Sequence, residues 1–157
     1  MHEQLAREAI ELVMPAIIQL IATGRAKREH LHIIVLDPRA TPADYESPQI
    51  LCERSVGKQG EWAHDYRKIA VAKATQAWRD GRANINTQML GPATLRKGDT
   101  VYYGSFEYQG VIVACSGIQP WFDMLVSGWI AIAFQQLAQD HIQKIKEKNP
   151  DLDFLDI

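Results

Sequence analysis

The chain has 157 residues and a formal charge of -2, enough for one hydrophobic core that buries roughly two-thirds of the unfolded surface. Its apolar share of 46% and charged share of 23% are those of a globular domain and exclude a largely disordered chain. A pI near 6.2 excludes a basic field that would gather nucleic acid or an anionic membrane over the whole surface.

Met1-His2-Glu3-Gln4 runs straight into an amphipathic pattern with Glu3, Arg7, Glu8 and Glu11. This opening has neither the basic nor the apolar region of a secretory signal, so a cytoplasmic protein is expected. Leu5, Ile10, Leu12, Val13, Ile17, Leu20 and Ile21 recur at mostly three- and four-residue steps, which predicts a helix over 3–22 stopped by Gly24. Pro15 lies inside it and predicts a kink or two shorter pieces. Leu31 to Leu36 is a short apolar run rich in β-branched residues and ended by Asp37-Pro38, the first expected strand. After a proline-bearing loop from Ala40 to Pro48, a second strand is expected over 49–56.

Gly57 and Gly60 release a helix expected over 61–80 and stopped by Gly81. From Gly81 to Thr100 neither period holds, which predicts a long loop of the kind that carries function or moves. Val101 to Tyr108 and Val111 to Ser116 flank Gln109-Gly110 and predict a hairpin. A helix is then expected over 121–148. Its first half is apolar nearly all round, with Trp121, Phe122, Met124, Leu125, Val126, Trp129, Ile130, Ile132 and Phe134. A helix of that kind needs cover on every side, so part of it is expected to form a homo-oligomer interface. Asp123 and Ser127 interrupt this run, which is shorter than the roughly 20 residues of a membrane span. The result is an α/β (α+β) domain over 1–148 with an acidic tail over 149–157.

Ile69-Ala70-Val71-Ala72-Lys73-Ala74-Thr75-Gln76-Ala77, a helix with one lysine in an alanine-rich setting, and Val111-Ile112-Val113-Ala114-Cys115-Ser116-Gly117, a glycine-terminated strand, occur in this element order with Asp123 shortly after. Together these residues resemble the family of glycolate-utilisation accessory and haem-binding proteins, which includes the C-terminal domain of a class of corrinoid adenosyltransferases. The likeness spans about residues 5 to 140. It departs from the family where Asp37-Pro38-Arg39 leads into a proline loop and where Gly104 is followed by Ser105. The resemblance implies a profilin-like antiparallel sheet of about five strands flanked by N- and C-terminal helices. It also implies assembly into dimers or larger rings and binding of haem or a related small cofactor, with an accessory or sensing role.

The candidate cofactor-binding residues are Lys73, Asn86, Met89, Gly91, Tyr102 and Gly117. Lys73 falls in the middle of a helix face made by Trp62, Tyr66, Ile69, Ala70 and Ala77. It either meets a ligand carboxylate such as a haem propionate or satisfies sheet-edge carbonyls or a buried acid. The polar segment from Asn84 to Leu95 either lines a cofactor cleft or is a solvated loop. His30 and His32 share one strand face, a spacing that can supply two ligands to a metal. No third ligand is evident, so they read as solvated histidines at the start of the strand. His64 reads as a surface residue. Cys52 and Cys115 belong to no C-x-x-C pair and read as buried thiols; a Cys115 nucleophile would need an activating cation or histidine. The alternatives to the binding reading are a structural or regulatory oligomer without a cofactor and, behind it, a small enzyme that uses Cys115.

Overall fold

The computed structural model describes residues 1–157, with Gln59 described by its backbone alone. Apolar residues at three- and four-residue steps form α1 (His2–Ala22), whose Ala6, Ala9, Ile10, Val13 and Ile17 are buried. Pro15 lies on the exposed side of this one continuous helix. The carbonyl left without an N–H partner there faces water, so the helix is not divided into two pieces.

The strands β1 (Leu31–Leu36), β2 (Ile50–Val56), β3 (Ser105–Tyr108) and β4 (Val111–Ser116) form one antiparallel sheet in the order β2-β1-β4-β3. The sheet has four strands rather than about five. The central strands β1 and β4 are buried at every position, because both faces are covered. Leu31, Ile33, Val35, Val111, Val113 and Cys115 pack with α1 and with α4 (Pro120–Lys148). Ile34, Leu36, Ile112 and Ala114 pack under α2 (Tyr66–Asp80). Between β3 and β4, Gln109 and Gly110 both take positive φ, 49° and 86°, the geometry of a tight two-residue hairpin.

α2 begins at Tyr66 rather than Glu61 because Asp65 caps it, its carboxylate accepting from Lys68 N at 3.0 Å. The segment expected to be an irregular loop contains α3 (Asn84–Leu90) and a 3-10 turn at Pro92–Thr94. Asn84 organises it. Its side-chain carbonyl accepts from the backbone N–H groups of Gly104 and Ser105 and from the Ser105 hydroxyl, while its amide donates to Gln76 Oε1 and Tyr102 O. These bonds occupy backbone groups that would otherwise extend the ladder, so β3 starts at Ser105 instead of Val101. Asn84→Ala leaves several of these buried groups without partners. It is expected to cost about 2 kcal/mol, read as a lower urea midpoint.

In α4, Val126, Ile130, Ala131 and Phe134 are buried, whereas Trp121, Leu125 and Ile132 are exposed along one stripe. Among the described residues no helix is long and apolar enough to cross a membrane. Cys52 and Cys115 are buried free thiols.

Candidate functional site

Lys73 sits at the middle of α2, on its buried side, and its ammonium reaches the end of β4. Nζ donates to Cys115 O at 2.9 Å and to Asp123 Oδ2 at 2.9 Å, with both side chains almost fully buried. Of the two readings of Lys73, the structure therefore shows the one in which it satisfies a strand carbonyl and a buried acid. The other carboxylate oxygen of Asp123 accepts from Ile118 N at 3.3 Å. Burial pushes the Asp123 carboxyl up to about 7, against the opposing pull of Lys73 and of the Ile118 and Gly117 N–H groups.

Two glycines make this arrangement possible. A Cβ on Gly104, whose φ is +151°, would lie 2.7 Å from both Lys73 Nζ and Asp123 Cβ. Gly117, with φ +145°, presses against the His30 carbonyl at the start of β1, so β4 can turn sharply into α4. Ser127 then donates to Gly104 O at 2.6 Å, fixing α4 to the segment before β3.

Above the Lys73–Asp123 pair lies a cavity of about 440 Å3, walled by α2, the β4–α4 turn and the segment after α1. Gln119 joins the last two walls: its Oε1 accepts from Lys27 N at 3.0 Å and its Nε2 donates to Arg25 O at 2.8 Å. Lys27 and Arg28 are thereby held at the rim, where His64, Tyr66 and Trp121 also contribute.

Of the residues singled out in the sequence, Lys73, Tyr102 and Gly117 line this cavity. Asn86 and Met89 lie on α3, Met89 with 66% of its surface exposed, and a Cβ on Gly91 would face Arg82; none of the three is on the cavity wall. His64, read as a plain surface residue, is exposed but sits on that wall. Lys27, Arg28, Tyr66, Gln119 and Asp123 also line it without having been picked as site residues. The signals were present as the basic run Arg25 to Arg28 and as the position of Tyr66 on the Lys73 face of α2.

His32 is not solvated. It is 3% exposed, and its Nδ1 lies 2.8 Å from Ser55 Oγ. Burial holds it below the usual imidazole range, with Glu53 opposing. Among the described residues no group of three or more potential ligands could hold a metal ion. Cys115 is fully buried, and burial pushes its thiol up to about 12. It stays protonated at neutral pH, which removes the basis for a thiolate nucleophile.

Compared with protein-family models and with curated proteins, the chain matches none.

Proposed function

We propose that this protein binds a small cofactor in the cavity above the Lys73–Asp123 pair and works as an accessory or sensing module. The observation that carries the reading is the cavity itself. At about 440 Å3 it falls in the usual range for small-molecule sites, roughly 300–1,000 Å3, and charged side chains converge on it from three elements. The family resemblance adds haem or a corrinoid as the first cofactors to test.

The wall carries donors that suit haem. His64 offers an imidazole for the iron, and Lys27 and Arg28 offer cations for the propionates. Lys73 is not one of those cations, since its ammonium is already engaged by Asp123 and the Cys115 carbonyl. Bound haem would supply a redox-active iron; the chain's part is to bind it, orient it and screen one face from water. Titration with hemin is expected to give a saturable shift of the Soret band that His64→Ala abolishes. Absence of a saturable shift removes haem, and a thermal-shift series with corrinoids then tests the related cofactors.

Homo-oligomerisation through α4 belongs to the same proposal. Trp121, Leu125 and Ile132 form an exposed apolar stripe at helical spacing, and Trp121 also borders the cavity. A second copy seated on the stripe would adjoin the ligand.

A further inference from the structure

Behind the Tyr66 ring lies a group of polar atoms that meet no hydrogen-bond partner: His30 Nδ1, His32 Nε2, Trp62 Nε1 and Tyr66 OH. Their rings form one connected cluster. Trp62 is centred 5.3 Å from Tyr66, 6.0 Å from His32 and 6.4 Å from His30. The nearest charged partner of His32 Nε2 is Glu53 Oε2 at 3.7 Å, beyond hydrogen-bond reach. Tyr66 and His32 are each only 3% exposed. A buried polar group without a partner is destabilising, and four of the five such atoms among the described residues gather in this one cluster.

The cluster adjoins the cavity, because Tyr66 belongs to both. Its chemistry is mainly that of a donor. The indole N–H can only donate, the phenol donates readily, and a neutral imidazole offers one N–H. On its cavity side the charge is positive, whereas Glu53, paired with Arg67, stands beside His32. Arg28 stands 6.0 Å from the Tyr66 ring centre, and Lys27 is beside it on the rim. The start of α4 presents the positive end of a 29-residue helix to the same space. Asp123 is the single carboxylate on the wall among the described residues, and Lys73 already balances it.

We propose that the ligand is a small organic anion whose carboxylate or phosphate oxygens accept from the Tyr66 hydroxyl and the Trp62 indole N–H, with Arg28 and Lys27 balancing its charge. This rests on the cavity being a small-molecule site and names the class of molecule it takes. The Trp62 segment between β2 and α2 moves outward slightly to admit the anion, so that the cavity continues behind Tyr66. An uncharged ligand could accept from the donors but would leave the cations unanswered.

The test is a thermal-shift and calorimetric series with acetate, benzoate, inorganic phosphate and phenyl phosphate, alongside benzamide and phenol as uncharged controls. The expected result is that at least one anion raises Tm while the controls do not. Tyr66→Phe and Arg28→Gln should each weaken that binding at least tenfold. Tyr66→Phe without anion should keep or raise Tm, since it removes an unpartnered buried hydroxyl. Comparison of carboxylates with phosphates assigns the head group.

The proposal is overturned if no anion binds, if binding survives both substitutions, or if Tyr66→Phe lowers Tm in the absence of anion, which would mark the hydroxyl as a structural partner. Binding of the uncharged controls or of hemin without any anion response overturns this inference and leaves the cofactor-binding reading standing. Failure of every ligand overturns both.

Discussion

Lys73→Met is expected to destabilise the protein by about 3 kcal/mol at pH 8, because it leaves the Asp123 carboxylate buried without its cation. The loss should shrink at pH 5. Asp123 lies almost fully buried 2.9 Å from the ammonium, and even so its carboxyl is pushed up to about 7 from an unfolded value of 3.8. The folded state therefore holds a proton between about pH 4 and pH 7 that the unfolded state has released. Stability falls as pH rises through that window, and it is level below about 4, where both states are protonated, and above about 7, where both are ionised. Each unit of difference is worth about 1.4 kcal/mol, so the fall should amount to a few kcal/mol. Without Lys73 the carboxyl moves higher still, and the fall extends above pH 7. Asp123→Asn is expected to abolish the slope while remaining destabilised, because it leaves the Lys73 ammonium buried and unpaired. Lys73→Met combined with Asp123→Leu should recover most of the loss, since a well-packed apolar pair replaces a desolvated ionic one. Urea denaturation of the four proteins at pH 5 and pH 8 reads all of these outcomes. A pH-independent cost for Lys73→Met would show that Asp123 carries the same protonation with and without Lys73 throughout this range.

The same pair shows what could and could not be read before the structure. The face of α2 that carries Lys73 follows from helical spacing alone, since Tyr66, Ala70, Lys73, Ala74 and Ala77 all come to lie against the sheet. Its partner did not follow, because Asp123 is 50 positions away on another helix, and no periodicity links the two. β1 and β4 were legible as apolar runs, and the β3–β4 hairpin was marked by Gln109-Gly110. α3 was not legible. It has seven residues, of which only Asn84 and Thr87 are buried, and it is held by side-chain bonds to Ser105 and Asp80 rather than by an apolar stripe. Hydrophobic periodicity cannot report a helix stabilised in that way. The cavity was legible only in fragments, because its walls come from four separate stretches of chain, two of them joined by the Gln119 side chain.

His30 and His32 make a related point. The spacing that places them on one strand face also suits a metal, yet what they meet is Trp62. The turn that brings Trp62 over them depends on Gly57, which has φ +84° and lies close against the Glu29 carbonyl and the His30 ring. A histidine pair that looked like a solvated strand start thus became the floor of a buried polar cluster.

Gly117→Ala is expected to have the other large effect. The residue combines a φ of +145° with backbone contact against His30 and Leu31. An L side chain at that φ costs of order 1–3 kcal/mol in strain alone. The added methyl group would meet the His30 carbonyl and the Leu31 Cα, and neither is the end of a flexible side chain that could swing away. Overpacking adds typically 1–3 kcal/mol, so a total loss of about 4 kcal/mol is expected, read as a lower Tm and urea midpoint. Relief would come only by separating the end of β4 from the start of β1. That movement also displaces the Ile118 and Gly117 N–H groups that help hold the Asp123 carboxyl down. Gly117→Ala should therefore shift the pH at which stability levels off upward, as well as lowering stability overall. Gly24→Ala is the control, since Gly24 has a positive φ of +74° but nothing within 4 Å of an added Cβ. It should show the cost of backbone strain alone and leave the pH profile unchanged.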